Sequence, residues 1–138
     1  MKVETKSFKV YFNTNPERTP HNEKTYFEHA LEFLENLVST EDWLEVLNEA
    51  LWVEINAEDE KARIQLVWGG PGLDIELKYN RFGRFIVKAI YYDWHYSNDA
   101  EIIFKDQEAK EKLETILDEL IELRTIELIE EWSKGGQR

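Results

Sequence analysis

The sequence predicts an α+β domain of two layers: an antiparallel β-meander of about five strands, two helices in the N-terminal half and one long C-terminal helix. Three observations predict it. Short runs of period-two alternation recur between residues 52 and 105, separated by turn residues. Their connections are too short for parallel crossovers, so neighbouring strands pair antiparallel. Stripes of 3.6-residue period flank this region, in residues 25–51 and in the C-terminal quarter. The order read this way is β-α-α-β-β-β-β-α, with helices on one face of the sheet.

Each element has a local cause. Phe8, Val10 and Phe12 alternate with Ser7, Lys9 and Tyr11, as in a half-buried strand. Residues 13–24 form a polar loop with two prolines. Phe27, Ala30, Leu31, Leu34, Leu37 and Val38 make the stripe of a helix from Thr25 to Val38. Ser39 or Thr40 caps a second helix, with Glu41 and Asp42 in its first turn and Trp43, Leu44, Leu47, Ala50 and Leu51 inward. A strand runs from Trp52 to Ala57, and Glu58–Lys61 turns the chain. Ile64, Leu66 and Trp68 alternate with Arg63, Gln65 and Val67 before a Gly69-Gly70-Pro71-Gly72 connection. Leu73 to Tyr79 alternates with one wet face, and Asn80–Gly83 turns again. Arg84 to Asp93 is apolar on both faces, which marks a central strand. Ser97–Asp99 is a turn, Ala100–Lys105 a last strand, and Asp106 caps a helix to about Ser133.

The 138 residues suit one domain, read as residues 1–134 with a flexible tail at 135–138. Hydrophobic residues make up 42%, which is enough for a core and excludes the disordered class. The chain has no Cys, so thiol catalysis, Cys-ligated zinc, iron–sulfur clusters and disulfide scaffolds are excluded. The first ten residues lack the apolar run of a signal peptide, and no stretch approaches the roughly 20 apolar residues of a membrane span. A cytoplasmic location without membrane association is the expectation.

The formal net charge of -12 is unevenly placed. Residues 1–24 carry net +2, residues 25–60 carry -11 with no Lys or Arg, residues 61–110 carry +1, and residues 111–138 carry -4. Solvated surfaces usually mix signs, so this asymmetry points to a face for a basic partner. The candidate contacts are Glu28, Glu32 and Glu35 on the first helix, and Glu41, Asp42, Glu45 and Glu49 on the second. Glu114, Asp118 and Glu122 on the last helix extend them. Duplex DNA presents one charge per about 1.7 Å of axis. A single acidic helix is too sparse, and two packed side by side reach about one per 3 Å. Partial mimicry of a nucleic-acid backbone thus requires the first two helices to pack with their acids outward.

Other constellations compete with this face. Trp68, Tyr91, Asp93, Trp94 and His95 gather rings and an Asp/His pair at the end of the central strand, as a small-molecule or acid–base pocket would. An aromatic core end is the plainer alternative. Late in the last helix, Ile126 and Ile129 fall opposite the Leu113, Ile116, Leu117, Leu120, Ile121 stripe, while Leu128 and Trp132 stay nearer to it. Ile126, Ile129 and Trp132 offer a homodimer contact, and the plainer alternative is that this end tucks against the sheet. Arg81-Phe82-Gly83-Arg84-Phe85 faintly resembles the RNP1 pattern of RNA-recognition domains. Phe82 stands where that pattern has Gly, and the negative charge opposes direct nucleic-acid binding. The three histidines form no HExxH or ExxH pair, and no phosphate-loop or nucleophile-elbow motif occurs. No catalytic residue, metal ligand or cofactor is assigned.

In size and charge the chain resembles small acidic inhibitor proteins: phage-encoded anti-CRISPR and anti-restriction proteins, and immunity proteins that neutralise nucleases. That resemblance implies a non-enzymatic protein whose acidic helices occupy the basic nucleic-acid channel of a target. The alternatives are a ligand-binding protein or enzyme using the aromatic Asp/His pocket, and a homo-oligomeric interaction domain.

Overall fold

The computed structural model describes residues 3–11, 21–69, 71–94 and 97–135, without the side chains of 21–22 and 132–135. The element order is β1 (Phe8–Tyr11), α1 (His21–Ser39), α2 (Trp43–Leu47), β2 (Trp52–Asn56), β3 (Lys61–Val67), β4 (Gly72–Tyr79), β5 (Phe85–Tyr92), β6 (Ser97–Phe104) and α3 (Gln107–Gly135). The α+β class and the antiparallel meander stand as predicted. Six strands form the sheet, one for each extended run of the sequence and one more than the order read from it counts.

The spatial order is β1-β6-β5-β4-β3-β2. Strands β2 to β6 pair in sequence order through short turns, and β1 closes the far edge by pairing Phe8 with Phe104 and Val10 with Ile102. Period-two alternation sorts the side chains. Ile64, Ile75, Ala89 and Ala100 lie in one cross-strand row, and all are buried. Helices α1 and α3 pack over this face, supplying Phe27, Leu31, Leu34 and Leu37 from α1 and Leu113, Ile116, Leu117 and Leu120 from α3. Burying a Leu, Ile or Phe is worth about 1.5–3 kcal/mol, so this contact dominates the stability. Aromatic rings join four strands at one end of the same face. Tyr79 meets Phe85 at 5.5 Å, Phe85 stacks on Phe104 at 5.9 Å, and Phe104 meets Phe8 edge-on at 6.0 Å.

No described element covers the opposite face. Opposite signs alternate across it: Glu54 faces Arg63, Arg63 faces Glu76, Glu76 faces Lys88, and Lys88 faces Glu101. Directly opposed unlike charges stabilise such a face by roughly 0.2–1 kcal/mol per pair. Arg63 and Lys88 thus meet acids across the sheet, while Lys61 stands opposite Lys78.

Several boundaries differ from expectation for identifiable reasons. Helix α1 begins at His21, so residues 21–24 are helical rather than loop, and the rest of that loop lies outside the described residues. Helix α2 stops at Leu47 rather than Leu51, because the Leu51 N–H bonds to the Gln65 carbonyl and starts the β2–β3 pairing. Its cap is Asp42, whose Oδ1 accepts from the Glu45 N–H at 3.3 Å. Thr40 Oγ1 instead accepts from the Asp42 N–H. Strand β6 begins at Ser97, which pairs with Tyr92, so Ser97–Asp99 is strand rather than turn. A bulge between Gln65 and Val67 changes the register of β3. Trp68, expected on the apolar face with Ile64, is therefore 75% exposed.

Gly72 is fixed by close approach. A Cβ there would stand 2.2 Å from the Tyr92 ring, which lies across the strand pair. Tyr92 is itself held: its hydroxyl accepts from Gln65 Nε2 at 3.1 Å and lies within donating distance of the Val67 carbonyl and Asp74. Gly72→Ala should therefore overpack this corner and cost about 1–3 kcal/mol, read as a lower urea midpoint with an unchanged slope.

Candidate functional site

The acidic segment is spread over both layers: α1 packs over β1, β4 and β5, α3 rather than α1 lies against β2 and β3, and Glu54 of β2 stands opposite Arg63 on the uncovered face. It runs from α1 through α2 into β2, the outermost strand of the sheet, and ends in the β2–β3 turn. Glu32, Glu41, Asp42, Glu45, Glu49, Glu54, Glu58, Asp59 and Glu60 are exposed, while Glu28 and Glu35 are half-buried. None of the ion pairs among the described residues involves an acid of residues 25–60. Those pairs use the sheet face and the last helix, as in Arg63–Asp74 at 2.6 Å and Arg84–Glu101 at 3.3 Å. The surplus of acid is therefore left facing solvent on α1, α2, β2 and the β2–β3 turn.

The expected contact residues divide by what they touch. Glu35 is engaged inward: its Oε1 accepts from Thr5 Oγ1 at 2.6 Å and from the Ser7 N–H at 2.5 Å, tying α1 to the lead into β1. Asp42 is spent partly on capping α2. Asp118 Oδ1 accepts from the Tyr79 hydroxyl at 2.8 Å, and Glu114 pairs with Lys110 at 3.8 Å. Glu32, Glu41, Glu45, Glu49 and Glu122 project into solvent, and Glu28 does so in part. Glu54, Glu58, Asp59 and Glu60 join them, although the helical pattern singled out none of these. The signal that finds them is the charge count, which stays free of cations to residue 60.

Beside the turn, Glu58, Asp59, Glu60, Tyr79, Asn80, Arg81 and Gly83 line an open depression of about 370 Å³. Arg81 is the one cation on that lining, and its guanidinium sits over the Phe82 ring at 4.8 Å. Burial first, then the bond to Asp118 and the charges of Asp118, Glu114 and Glu60, raise the Tyr79 hydroxyl well above its ordinary pKa. It stays protonated and acts as a donor. Among the described residues no group of three or more His, Asp or Glu side chains is placed to hold a metal ion. No described helix is long and apolar enough to cross a membrane.

The aromatic strand end divides between the two faces and solvent. Tyr91 is 2% exposed and packs on Tyr26 of α1 at 5.4 Å, inside the helix-covered core. Trp68 and Trp94 project outward at 75% and 83% exposure, and Asp93 is half-buried. His95 lies outside the described residues. Tyr92, on the open face, instead joins a polar network that sequence reading missed. Asp74, only 5% exposed, accepts from Arg63 Nε at 2.6 Å beneath the Tyr92 hydroxyl. A buried carboxylate of this kind carries a desolvation cost, which the partly solvated Arg63 offsets. Burial raises the pKa of Tyr92, as does the Asp74 charge, while Gln65 donating to it acts the other way.

Glu23 is the other buried acid. It is 1% exposed; Oε2 accepts from Asn98 at 3.2 Å, and Oε1 has no partner among the described residues. Burial raises its pKa; the Asn98 bond lowers it and the Asp93 charge raises it further. Compared with protein-family models, curated proteins and solved structures, the chain gives no match.

Two predictions follow from these acids. The folded chain binds the Glu23 proton more tightly than the unfolded chain, so stability falls as pH rises from the unfolded pKa through the folded one. Glu23→Gln should raise the thermal midpoint at about pH 7, with the gain vanishing towards about pH 4. Glu35→Ala should cost about 1.5–3 kcal/mol, the range of hydrogen bonds to a charged group. Glu32→Ala should stay within about 0.5 kcal/mol, both measured by urea denaturation.

Proposed function

We propose that the chain is a non-enzymatic, acidic protein-binding inhibitor whose acidic α1–α2–β2 segment meets a basic protein surface. The fitting surface is the Lys/Arg-lined nucleic-acid channel of a nuclease, restriction enzyme or CRISPR effector. The observation that supports this reading is the charge partition. The exposed acids of residues 25–60 have no ion-pair partner among the described residues, while cations elsewhere meet acids on the sheet. A surface held at one sign costs self-repulsion, and a cationic partner relieves it. Association would be electrostatically steered, fast and salt-sensitive.

The fit to a nucleic-acid backbone is partial. The 5-residue α2 spans about 7.5 Å and does not double the charge density of α1 along its length. Glu54 and the Glu58–Glu60 turn supply the rest of the band, so the mimicry is of potential more than of phosphate spacing. The pocket alternative gains no support from the described residues, since Tyr91 is core and the exposed tryptophans face solvent.

The test is binding to a panel of basic nucleic-acid enzymes across a salt series. Affinity should fall steeply with salt, and charge reversal of Glu32, Glu45 and Glu49 to Lys should abolish capture at low salt. Binding that survives the triple reversal sinks this reading.

A further inference from the structure

Helix α3 outruns the body it packs on. Among the described side chains Leu120 is the last buried one and Ile121 still packs half-buried against the core, while from Glu122 to Gly135 the helix continues for about 21 Å at 1.5 Å per residue. An isolated helix of this length is marginal in water. This one nevertheless leaves Leu123, Ile126, Leu128 and Ile129 at 48%, 45%, 43% and 60% exposure.

The apolar stripe also turns where the sheet ends. Up to Leu120, the core positions Ala109, Leu113, Ile116, Leu117 and Leu120 share one direction. Beyond it, Ile121, Thr125, Leu128 and Trp132 follow a 4-3-4 spacing, rotated by about a quarter turn. That is the spacing of a two-helix seam, with Ile121 and Leu128 at one core position and Thr125 and Trp132 at the other. Arg124 and Glu131 flank the seam on the same side, seven residues apart. Of the dimer contact the sequence suggests, Trp132 falls in this seam by position, Ile129 borders it, and Ile126 faces away from it.

We infer that the α3 overhang pairs antiparallel with the same segment of a second copy of this chain. The flanking charges select that occupant and that direction. A two-fold antiparallel pair sets Leu128 beside the copy's Thr125 and Ile121 level with its Trp132. It also brings Arg124 of each copy to the other's Glu131, two reciprocal ion pairs on a net-acidic helix. A parallel pair brings each of these charges level with its own copy and gains neither ion pair. The contact is small: a few half-exposed side chains present roughly a few hundred Å², below the ~800 Å² per partner of a standard interface. The dimer is therefore weak, of micromolar affinity or less. Two protomers of net charge -12 repel, so salt tightens this dimer by screening. That is the opposite of its effect on a basic partner, and the inference stands independently of the proposed function.

The test is sedimentation velocity of the full chain from about 5 to about 500 µM, at ~50 and ~500 mM NaCl. The expected result is a monomer–dimer equilibrium that tightens at the higher salt. Leu128→Glu, checked for fold by circular dichroism, should be monomeric throughout. Arg124→Glu should weaken association about tenfold. The exchange Arg124→Glu with Glu131→Arg should restore it, even though it leaves the intrahelical Arg124–Glu127 contact of 3.1 Å broken. A wild-type monomer at about 500 µM in both salts overturns the inference. So does unchanged association of Leu128→Glu, or an exchange variant that stays as weak as Arg124→Glu.

Discussion

Burial of a six-stranded antiparallel sheet on one side only is the constraint from which the other features descend. Helices α1 and α3 cover the row through Ile64, Ile75, Ala89 and Ala100, and this contact supplies most of the apolar area removed from water. The second face must then satisfy water and itself at once. It does so with alternating signs from Glu54 to Glu101, and with a buried Asp74 that Arg63 and Tyr92 enclose. The same constraint leaves α3 without a surface once it passes the outer strands.

Charge partition is the second consequence. Arg63 and Lys88, in the middle of the chain, sit where strand pairing opposes them to acids. The α1–α2–β2 segment contains no Lys or Arg between residues 25 and 60, and Arg81 and Lys112 reach it only from neighbouring elements. An acidic outer strand also resists pairing with stray strands, so one composition serves folding and partner choice together. The two are distinguishable in principle, because edge protection needs Glu54 and its neighbours but not Glu32 on the far helix.

Much of this was legible in the sequence, and the failures share a cause. Strands β4 and β5 and the first half of α3 follow from alternation or stripe alone, since each repeats over several periods. Helix α2 was overdrawn because Ala50 and Leu51 keep helical spacing, while the Leu51 N–H is claimed by a carbonyl of another strand. Trp68 was misplaced by a bulge that no local pattern announces. Tyr91 and Tyr92 are adjacent and alike, yet one is core and the other belongs to the Asp74 network. Which face an aromatic takes depends on register, and register is tertiary. The acidic side was visible as charge, but its extension through β2 and the turn needed the sheet order.

The pairing of β1 with β6 has a temporal consequence. Every other strand contact joins neighbours in sequence, whereas Phe8 meets Phe104 across most of the chain. During synthesis at about 5–20 residues per second, the first strand waits on the order of ten seconds for its partner. The Tyr79–Phe85–Phe104–Phe8 ring series cannot close until then. Contacts this distant in sequence are slow to form, so the nascent chain spends that interval with its N-terminal apolar strand unpaired. A molecule whose translated portion is already strongly acidic is held apart from its siblings through that interval by mutual repulsion.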